Sequence, residues 1–440
     1  HWELFGIWPS GDFRIGPVAH QHVTYVLIGV AIVGVVLGAI WTIRRRAFAP
    51  LLLLAGNGIA FAYLLNRASP YASAKVMMIF SLTVVLIAML GSVAIFEAGR
   101  RIEGLLLAVV IGGAVLWTNA LAYHDASVAP RARLAELAAI GSRFSGQGPT
   151  FFNQSDEFAV HFLRSQRPFD PAQFAAPVPR PGLAPRTAEQ FRLPWDPDEL
   201  DPGYLQSFRL LVLGRSPRIS RPPANYEPAY TGRYYAVWKR TSTPAVLEHI
   251  ALGGGLYPTA IPSCRLVIAT AARAAREHAR IAYVARPHPP TLVPTTATRP
   301  PNWGLVGGDP FELMPRAQPG AVTGSVQVAG PGRYQVWLEG SLSQRFEVWV
   351  GGHHVGSVAY ELGPPGQFVQ VGEVTLSAGT QPVRIVRPGS NLTPGDDPLG
   401  QLLGPLMLTT GPDPPPVTQI SPAHARALCG QTLDWLEIVR

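Results

Sequence analysis

Residues 119–131, which read NALAYHDASVAPR, separate two parts of the chain that differ in the pattern of their apolar residues. The part before this stretch contains long apolar runs that are broken by short arginine-rich patches. The part after it contains no apolar run long enough to span a bilayer, and it is rich in Pro, Gly and short alternating segments. We therefore expect a last membrane helix to end near Tyr123, with a non-membrane body after it.

Four apolar segments in the first part have about the 20 residues that a helix needs to cross the hydrocarbon core of a bilayer. These segments are residues 23–43, 48–65, 76–96 and 105–123. Several glycines in them suit close contact between helices, namely Gly29, Gly34, Gly38, Gly112 and Gly113. The sequence thus predicts a four-helix transmembrane region over residues 23–123, after an external loop at residues 1–22.

The orientation of these helices follows from the arginines in their short connections. Arginines cluster after the first and third segments, at residues 44–46 and 100–101, whereas the 66–75 connection carries only Arg67 and Lys75. Because positive residues concentrate on the cytoplasmic side of membrane proteins, both clusters are expected in the cytoplasm. We therefore predict a multi-pass cell-membrane protein whose C-terminal two-thirds is extracytoplasmic.

Charge and cysteine content narrow the function classes. The formal net charge is +8, but the basic residues are scattered and form no nucleic-acid-binding module, so we expect no nucleic-acid partner. The only cysteines are Cys264 and Cys429. They predict one structural disulfide in an oxidising compartment and two core thiols in a reducing one. The chain begins at His1 in a loop-like stretch, so we expect the C-terminal part of a longer protein, or a processed or truncated product.

After Tyr123 the pattern changes from mixed helix and strand to strands alone. Residues 124–245 include the buried-strand pattern FRLLVLGRSP and predict an extracytoplasmic α/β domain. Residues 246–310 are interpreted as a connector that contains a helix and a Pro-rich linker. Residues 311–440 contain short segments in which polar and apolar residues alternate, and Gly and Pro turns separate these segments. This pattern predicts an antiparallel β-sandwich. The expected fold class is therefore multi-domain, with four transmembrane α-helices, an α/β domain and a C-terminal jelly roll.

Two acidic stretches of the α/β domain are candidates for chemistry, and each has a simpler explanation. Asp156, Glu157 and His161 lie near a helix start, where they could perform acid–base chemistry or hold a sugar. Acidic residues at a helix N-terminus are also favoured by the helix dipole, which is the interpretation we prefer. A second cluster is expected to be solvated rather than metal-binding, and it consists of Asp196, Asp198, Glu199 and Asp201.

The external loops offer candidate ligands for a lipid phosphate, which would lie at their depth in the membrane. Arg14 and Lys75 would neutralise the phosphate, and Tyr71 and Asp12 would lie beside them. In the alternative interpretation the aromatic residues form an interfacial belt and Lys75 extends to the membrane surface.

The predicted sandwich offers two further sets of candidates. Trp337, Trp349 and Tyr360 would stack on sugar rings, although strand alternation places at least half of the aromatic residues there in the core. The 390–397 loop carries oxygen ligands for calcium or another divalent metal at Asn391, Asp396 and Asp397, with a plain polar turn as the alternative. No other cofactor is expected.

Part of the sandwich resembles a known class of module. The hairpin FEVWVGGHHVGS and the return strand VGEVTLSAGTQPVRIVRPG are similar to those of the jelly-roll carbohydrate-binding modules of many carbohydrate-active proteins. The resemblance covers residues 319–410 and implies a fold more specifically than a ligand.

The order of segments resembles the C-terminal portion of actinobacterial membrane glycosyltransferases of the GT-C class, such as the arabinosyltransferases of the mycobacterial wall. The residues that carry this resemblance are WPSGDFR, SPYASAK and TGRYYAVWKR. It implies transfer of a sugar from a polyprenyl-phosphate donor to a cell-envelope polysaccharide, with membrane lipid and a protein subunit as further partners. No segment matches the family's catalytic acidic loop, so the catalytic residue is unassigned and is expected upstream. The alternative is a non-catalytic, membrane-anchored glycan-binding or assembly subunit.

Overall fold

The structure is a computed structural model, and it describes most of the chain. The described residues are 2–9, 21–65, 67, 69–124, 126, 129–156, 158–169, 176–184, 186, 190, 193–306, 309–315, 319–389 and 401–440. They form two compact units. The helical unit contains the described residues up to 126, and the β-rich unit contains the described residues from 129 onward.

The helical unit contains four long apolar helices. They are α1 (Gln21–Arg44), α2 (Phe48–Leu65), α3 (Pro70–Glu97) and α4 (Arg101–His124), after a short 3-10 turn at Trp2–Phe5. All four predicted apolar segments are therefore helical, and by length and composition each helix is able to cross a membrane. The hydroxyl of Ser69 caps α3 by accepting a hydrogen bond from the backbone N–H of Ala72.

Close contact between α1 and α3 depends on some of the glycines and not on others. A Cβ atom at Gly38 would lie 2.0 Å from the carbonyl oxygen of Ile87, and one at Gly91 would lie 2.1 Å from that of Gly34. Glycine at these positions lets the two backbones touch. The other predicted positions, Gly29, Gly112 and Gly113, have no atom within 4 Å of a built Cβ. The glycine prediction is therefore correct for the α1–α3 contact and wrong for these three.

The β-rich unit begins with a mixed sheet that corresponds to the predicted α/β domain. Its strand order is β2-β1-β3-β5-β4, and β1 is parallel to both of its neighbours. The helices of this region are α5 (Arg131–Arg143), α6 (Ala159–Leu163) and α7 (Pro202–Gln206). The strands are β1 (Thr150–Phe152), β2 (Pro168–Phe169), β3 (Leu210–Gly214), β4 (Tyr226–Thr231) and β5 (Tyr235–Arg240). β3 is buried along its whole length, as its continuous apolar sequence predicts.

A second sheet occupies the region interpreted as a connector. Its strand order is β18-β7-β19-β6, and all pairs are antiparallel. Its elements are β6 (Val246–Ala251), α8 (Cys264–Arg276), β7 (Arg280–Ala285), β18 (Thr418–Ile420) and β19 (Leu433–Val439). The connector boundary at 246–310 is therefore wrong, and the chain's last strand belongs to this sheet rather than to the sandwich. The reason is that the apolar face of α8 packs on β19, and a disulfide joins Cys264 to Cys429.

The predicted sandwich region forms most of two antiparallel sheets that pack face to face. One has the order β15-β12-β17-β10-β9 with β8 on β17, and the other has the order β11-β16-β13-β14. The strands are β8 (Thr291–Leu292), β9 (Gly304–Leu305), β10 (Leu313–Met314), β11 (Gly320–Val328), β12 (Gly332–Ser341), β13 (Phe346–Val350), β14 (His353–Val358), β15 (Phe368–Leu376), β16 (Gly379–Arg387) and β17 (Leu402–Thr409). Val336 and Leu406 of one sheet share a core with Val348 and Ile385 of the other. The same core continues to Val237 of the mixed sheet.

Candidate functional site

A cavity of about 390 Å³ lies where the mixed sheet, the second sheet and the sandwich meet within the β-rich unit. We call it the large cavity. Its walls follow the end of β3, the end of β7, and the neighbouring strands β12 and β17. Nine prolines contribute to the lining: Pro217, Pro222, Pro287, Pro289, Pro290, Pro412, Pro414, Pro415 and Pro416. Because proline fixes φ and has no N–H, these walls are stiff and poor in backbone donors.

Trp337 lies in the wall of the large cavity. Its Nε1 donates a hydrogen bond to the hydroxyl of Thr409 at 2.9 Å, and the guanidinium of Arg215 lies 4.9 Å from its ring centroid. The residue is only 3 % exposed. Trp337 therefore does not present an open ring face to the cavity, because the Arg215 guanidinium covers its ring.

Arg215 connects the end of β3 to the Pro-rich loop after β17. Its Nη2 lies 2.5 Å from Oδ2 of Asp413, and its Nη1 donates to the backbone oxygen of Gly232 at 2.8 Å. The Nε of Arg215 is buried and has no partner among the described residues. The Asp413 side chain is 38 % exposed. Asp413 therefore pairs with the largely buried Arg215 while part of its carboxylate remains exposed.

Two more guanidinium groups line the large cavity, and backbone carbonyls hold both. Arg286 donates to the carbonyl oxygen of Ile219 at 3.1 and 3.2 Å. Arg221 donates to the carbonyl oxygens of Pro222 and Tyr226, and burial lowers its pKa to about 10. Carbonyl groups orient a guanidinium without neutralising it, but Arg286 is also paired with the buried carboxylate of Asp434, whose Oδ2 lies 3.9 Å from its Nη2.

A second cavity of about 190 Å³ lies beside the first, and we call it the small cavity. Its lining includes Asp196, Asp198 and Glu199 of the acidic cluster that the sequence predicts to be solvated. Asp196 accepts hydrogen bonds from the backbone N–H groups of Ser220 and Asp198, each at 2.8 Å. Burial, together with Asp198 and Glu199, raises the pKa of Asp196 well above its usual value. The prediction of a solvated cluster is wrong for Asp198, which is buried, whereas Asp196 and Glu199 are half-buried. Backbone donors compensate the carboxylate of Asp196.

His249 connects this acidic cluster to the second sheet. Its Nε2 lies 3.0 Å from Oδ1 of Asp198, and its Nδ1 lies 2.7 Å from Oε1 of Glu437. Burial lowers the pKa of His249, but the two carboxylates outweigh that effect and raise it to about 10. His249 is thus a buried cation that lines neither cavity. Its sequence context, LEHIAL, carries no signal beyond two adjacent polar residues in a short strand.

The other predicted glycan-binding aromatics lie elsewhere. Trp349 is half-buried on β13, in the sheet opposite Trp337, with the guanidinium of Arg384 5.6 Å from its ring centroid. Tyr360 is 45 % exposed and has a φ of 60°. Neither residue lines a described cavity with Trp337. The structure therefore does not bring the three aromatic residues together.

The predicted lipid-phosphate and metal residues fall largely outside the described part of the chain. Arg14 and Asp12 lie outside it, as do Asn391, Asp396 and Asp397. Lys75 is exposed in the early turns of α3, and Tyr71 is helical in the same element. Among the described ranges, no group of three or more His, Cys, Asp or Glu side chains is arranged to hold a metal ion.

The acidic helix start has a structural role in the described residues. Glu157 lies outside them, whereas Asp156 accepts a hydrogen bond from the backbone N–H of Phe158 at 2.9 Å. His161 is exposed and contacts Arg164. Asp156 therefore holds the turn before α6, whose N-cap, Phe158, makes no side-chain cap hydrogen bond.

Comparison with known proteins gives partial likenesses only. No protein-family model and no curated protein matches the chain. The β-(1,4)-mannanase of Podospora anserina, of glycoside hydrolase family 26 with a family 35 carbohydrate-binding module, is 19% identical at a TM-score of 0.20, over 28% of each chain. A family 36 carbohydrate-binding module in complex with calcium and xylotriose is 13% identical at 0.21, over 27% of this chain and 98% of its own. At such scores these likenesses carry no argument about this chain's function.

Proposed function

We propose that the β-rich unit binds a cell-envelope glycan in the large cavity and that the four apolar helices anchor it to a membrane. One observation carries the proposal: a stiff, partly open cavity whose apolar lining includes nine prolines also contains charged groups held in fixed positions. Sites for sugars need apolar surface for the ring and oriented polar groups for the hydroxyls.

The polar groups of the large cavity match that need. Arg215 has one unpaired N–H, and the carboxylate of Asp413 is exposed enough to accept a hydrogen bond from a ligand hydroxyl. The amide of Gln335 accepts a hydrogen bond from Thr409 and leaves its NH2 group as a donor. Together these side chains offer donors and an acceptor beside the edge of Trp337, which is the mixture that a polyhydroxylated ligand requires.

The finer hypothesis is that the chain belongs to a glycosyltransferase that uses a polyprenyl-phosphate donor on the outer face of the membrane. It rests on the resemblance of WPSGDFR, SPYASAK and TGRYYAVWKR to the GT-C class and on the exposed Lys75 early in α3. The disulfide supports an oxidising compartment for the β-rich unit. The Lys75→Ala variant tests the hypothesis, because turnover of a lipid-phosphate sugar that it left unchanged would exclude a phosphate contact there.

Binding of soluble oligosaccharides to the full chain in lipid nanodiscs tests the proposed function. The probes are arabino-, manno- and xylo-oligosaccharides, with affinity read by isothermal titration. We expect Arg215→Ala to weaken binding by about tenfold, as the loss of one charge-assisted contact predicts. Arg384→Ala is the matched control, because Arg384 also lies over a tryptophan ring but in the opposite sheet.

Three results would overturn the proposed site. Failure of every oligosaccharide to bind the unmodified chain would remove the function itself. Equal loss of affinity in both arginine variants would point to a general effect on folding, which the thermal unfolding of each variant would reveal. Loss of affinity in Arg384→Ala alone would move the site to Trp349.

A further inference from the structure

We infer that the large and small cavities are two parts of one binding groove, so that the ligand is an extended glycan chain rather than a single sugar. This inference rests on the proposed function and adds the length of the ligand and a second set of contacts. Three features of the structure support it: a shared wall, a shared row of rings, and an unpaired carboxylate oxygen at the far end.

The shared wall is the backbone segment 216–220 after β3. Ser216, Ile219 and Ser220 line both cavities. From the large cavity, Arg286 donates to the carbonyl oxygen of Ile219 at 3.2 Å. From the small cavity, the carboxylate of Asp196 accepts a hydrogen bond from the N–H of Ser220 at 2.8 Å. Side chains thus fix the segment from both sides, and it forms one stiff edge along which a ligand chain can run.

A contact between two rings also joins the linings of the two cavities. Tyr257 lines the small cavity and His288 lines the large one, and their ring centroids are 4.9 Å apart. His288 is exposed, and its Nδ1 lies 3.1 Å from the hydroxyl of Thr259. Tyr257 also packs against the buried cluster that contains Trp337. Rings therefore connect the two cavities, and such a row suits successive sugar units in one chain.

The small cavity contains an acceptor that the protein does not satisfy. The Asp198 side chain is 8 % exposed, and its Oδ2 has no hydrogen-bond partner among the described residues. An unpaired, buried carboxylate oxygen is costly, and a donor from a ligand would remove that cost. Since Asp198 lines the cavity, a sugar hydroxyl is the donor that the proposed function supplies. The small cavity would thus bind a neutral, hydroxyl-rich unit of the same chain.

Affinity as a function of ligand length tests this inference in the full chain in nanodiscs. We use ladders of arabino-, manno- and xylo-oligosaccharides from disaccharide to octasaccharide. In the unmodified chain, affinity should rise with length and then stop rising once both cavities are filled, with a total gain of about tenfold or more.

A variant that obstructs only the small cavity separates the two sites. Gly254 lines the small cavity but not the large one, and a Cβ there has no atom within 4 Å. Gly254→Phe should lower the affinity for octasaccharides by about tenfold, to near that for disaccharides, and should change disaccharide affinity much less. Gly330→Phe is the control, because Gly330 has equally open surroundings and lines neither cavity. His288→Ala, at the exposed ring between the cavities, should weaken octasaccharides more than disaccharides.

The possible results distinguish the inference from the function on which it rests. If disaccharides and octasaccharides bind the unmodified chain equally well, the large cavity alone is the site and the inference is wrong. The same holds if Gly254→Phe and His288→Ala both keep the full length dependence. If no oligosaccharide of any length binds, the proposed function fails, and the inference fails with it.

Discussion

Arg218 and Glu339 form a buried ion pair that ties the segment after β3 to strand β12 of the sandwich. The Nη1 of Arg218 lies 3.0 and 2.9 Å from the two carboxylate oxygens of Glu339. The Glu339 side chain is fully buried, and that burial raises its pKa despite the contact with Arg218. At Arg218 burial lowers the pKa, but the nearby carboxylates, Glu339 first, outweigh that effect and raise it. Burial therefore outweighs the attraction only at Glu339, and a buried pair of this kind fixes the arrangement of the β-rich unit more than it adds net stability.

The first prediction concerns the loss of one partner of this pair. Arg218→Met should lower the free energy of unfolding by on the order of 3 kcal/mol, because Glu339 would remain buried without a counter-charge. The double variant Arg218→Met with Glu339→Met should recover most of that loss. Thermal unfolding of the full chain measures both effects.

An exposed pair in the same unit provides the control. Arg333 contacts Glu373 at the surface, where the Arg333 side chain is 77 % exposed. Arg333→Ala should therefore cost less than about 1 kcal/mol. A double variant at Arg218 and Glu339 no more stable than the single variant would contradict the explanation by an uncompensated charge.

The second prediction is a pH dependence that originates at Glu312. Burial, and then the charges of Glu339 and Asp309, raises the pKa of Glu312 from 4.5 to about 8. Between these two values the folded state binds more protons than the unfolded state, so this group makes stability fall as the pH rises. Glu312→Gln removes the titration and should flatten the curve of melting temperature against pH from 4.5 to 8.

The size of the effect is on the order of a few kcal/mol at pH 8, where the variant should be more stable than the unmodified chain. Below pH 4.5 both proteins should have nearly the same stability, which provides an internal control. Parallel curves for the two proteins across the whole range would show that Glu312 is ionised in the folded state.

The sequence predicts those parts of the fold that depend on local pattern. The four helices follow from the length of each apolar run. The sandwich strands follow from short segments of alternating polar and apolar residues that Gly and Pro turns separate. The pairing of β6 and β7 with β19 joins segments that are far apart along the chain. A local pattern does not specify a distant partner, and for this reason the sequence alone predicts a connector at residues 246–310.

Less of the candidate site than of the fold can be predicted from the sequence, because residues far apart along the chain form the site. Trp337 and Trp349 both lie in strands whose polar and apolar residues alternate, so the sequence makes them equally good candidates for a sugar contact. Only the structure shows that Trp337 borders a cavity, because the other walls come from the distant segments 285–290 and 410–416. The position of the Asp196 carboxylate likewise depends on the N–H of Ser220, a donor that no local pattern identifies.

The third prediction concerns the disulfide between Cys264 and Cys429. It closes a loop with a sequence separation of 165 residues, and it joins α8 to the segment before β19. Replacing both cysteines by serine should lower the free energy of unfolding by about 2 to 5 kcal/mol, since the unfolded chain regains freedom. A reducing agent should lower the melting temperature of the unmodified chain and leave that of the variant unchanged. A variant that still responded to reductant would show that the effect arises elsewhere.

The fourth prediction tests the contact between α1 and α3 in the helical unit. A side chain at Gly38 would collide with the backbone of Ile87, whereas one at Gly29 would meet no atom within 4 Å. Gly38→Ile should therefore force the two helices apart and lower the melting temperature in nanodiscs. Gly29→Ile is the matched control, because it adds the same side chain to the same helix and should have little effect. Equal destabilisation by both variants would mean that helix propensity, and not the close approach at Gly38, determines the loss.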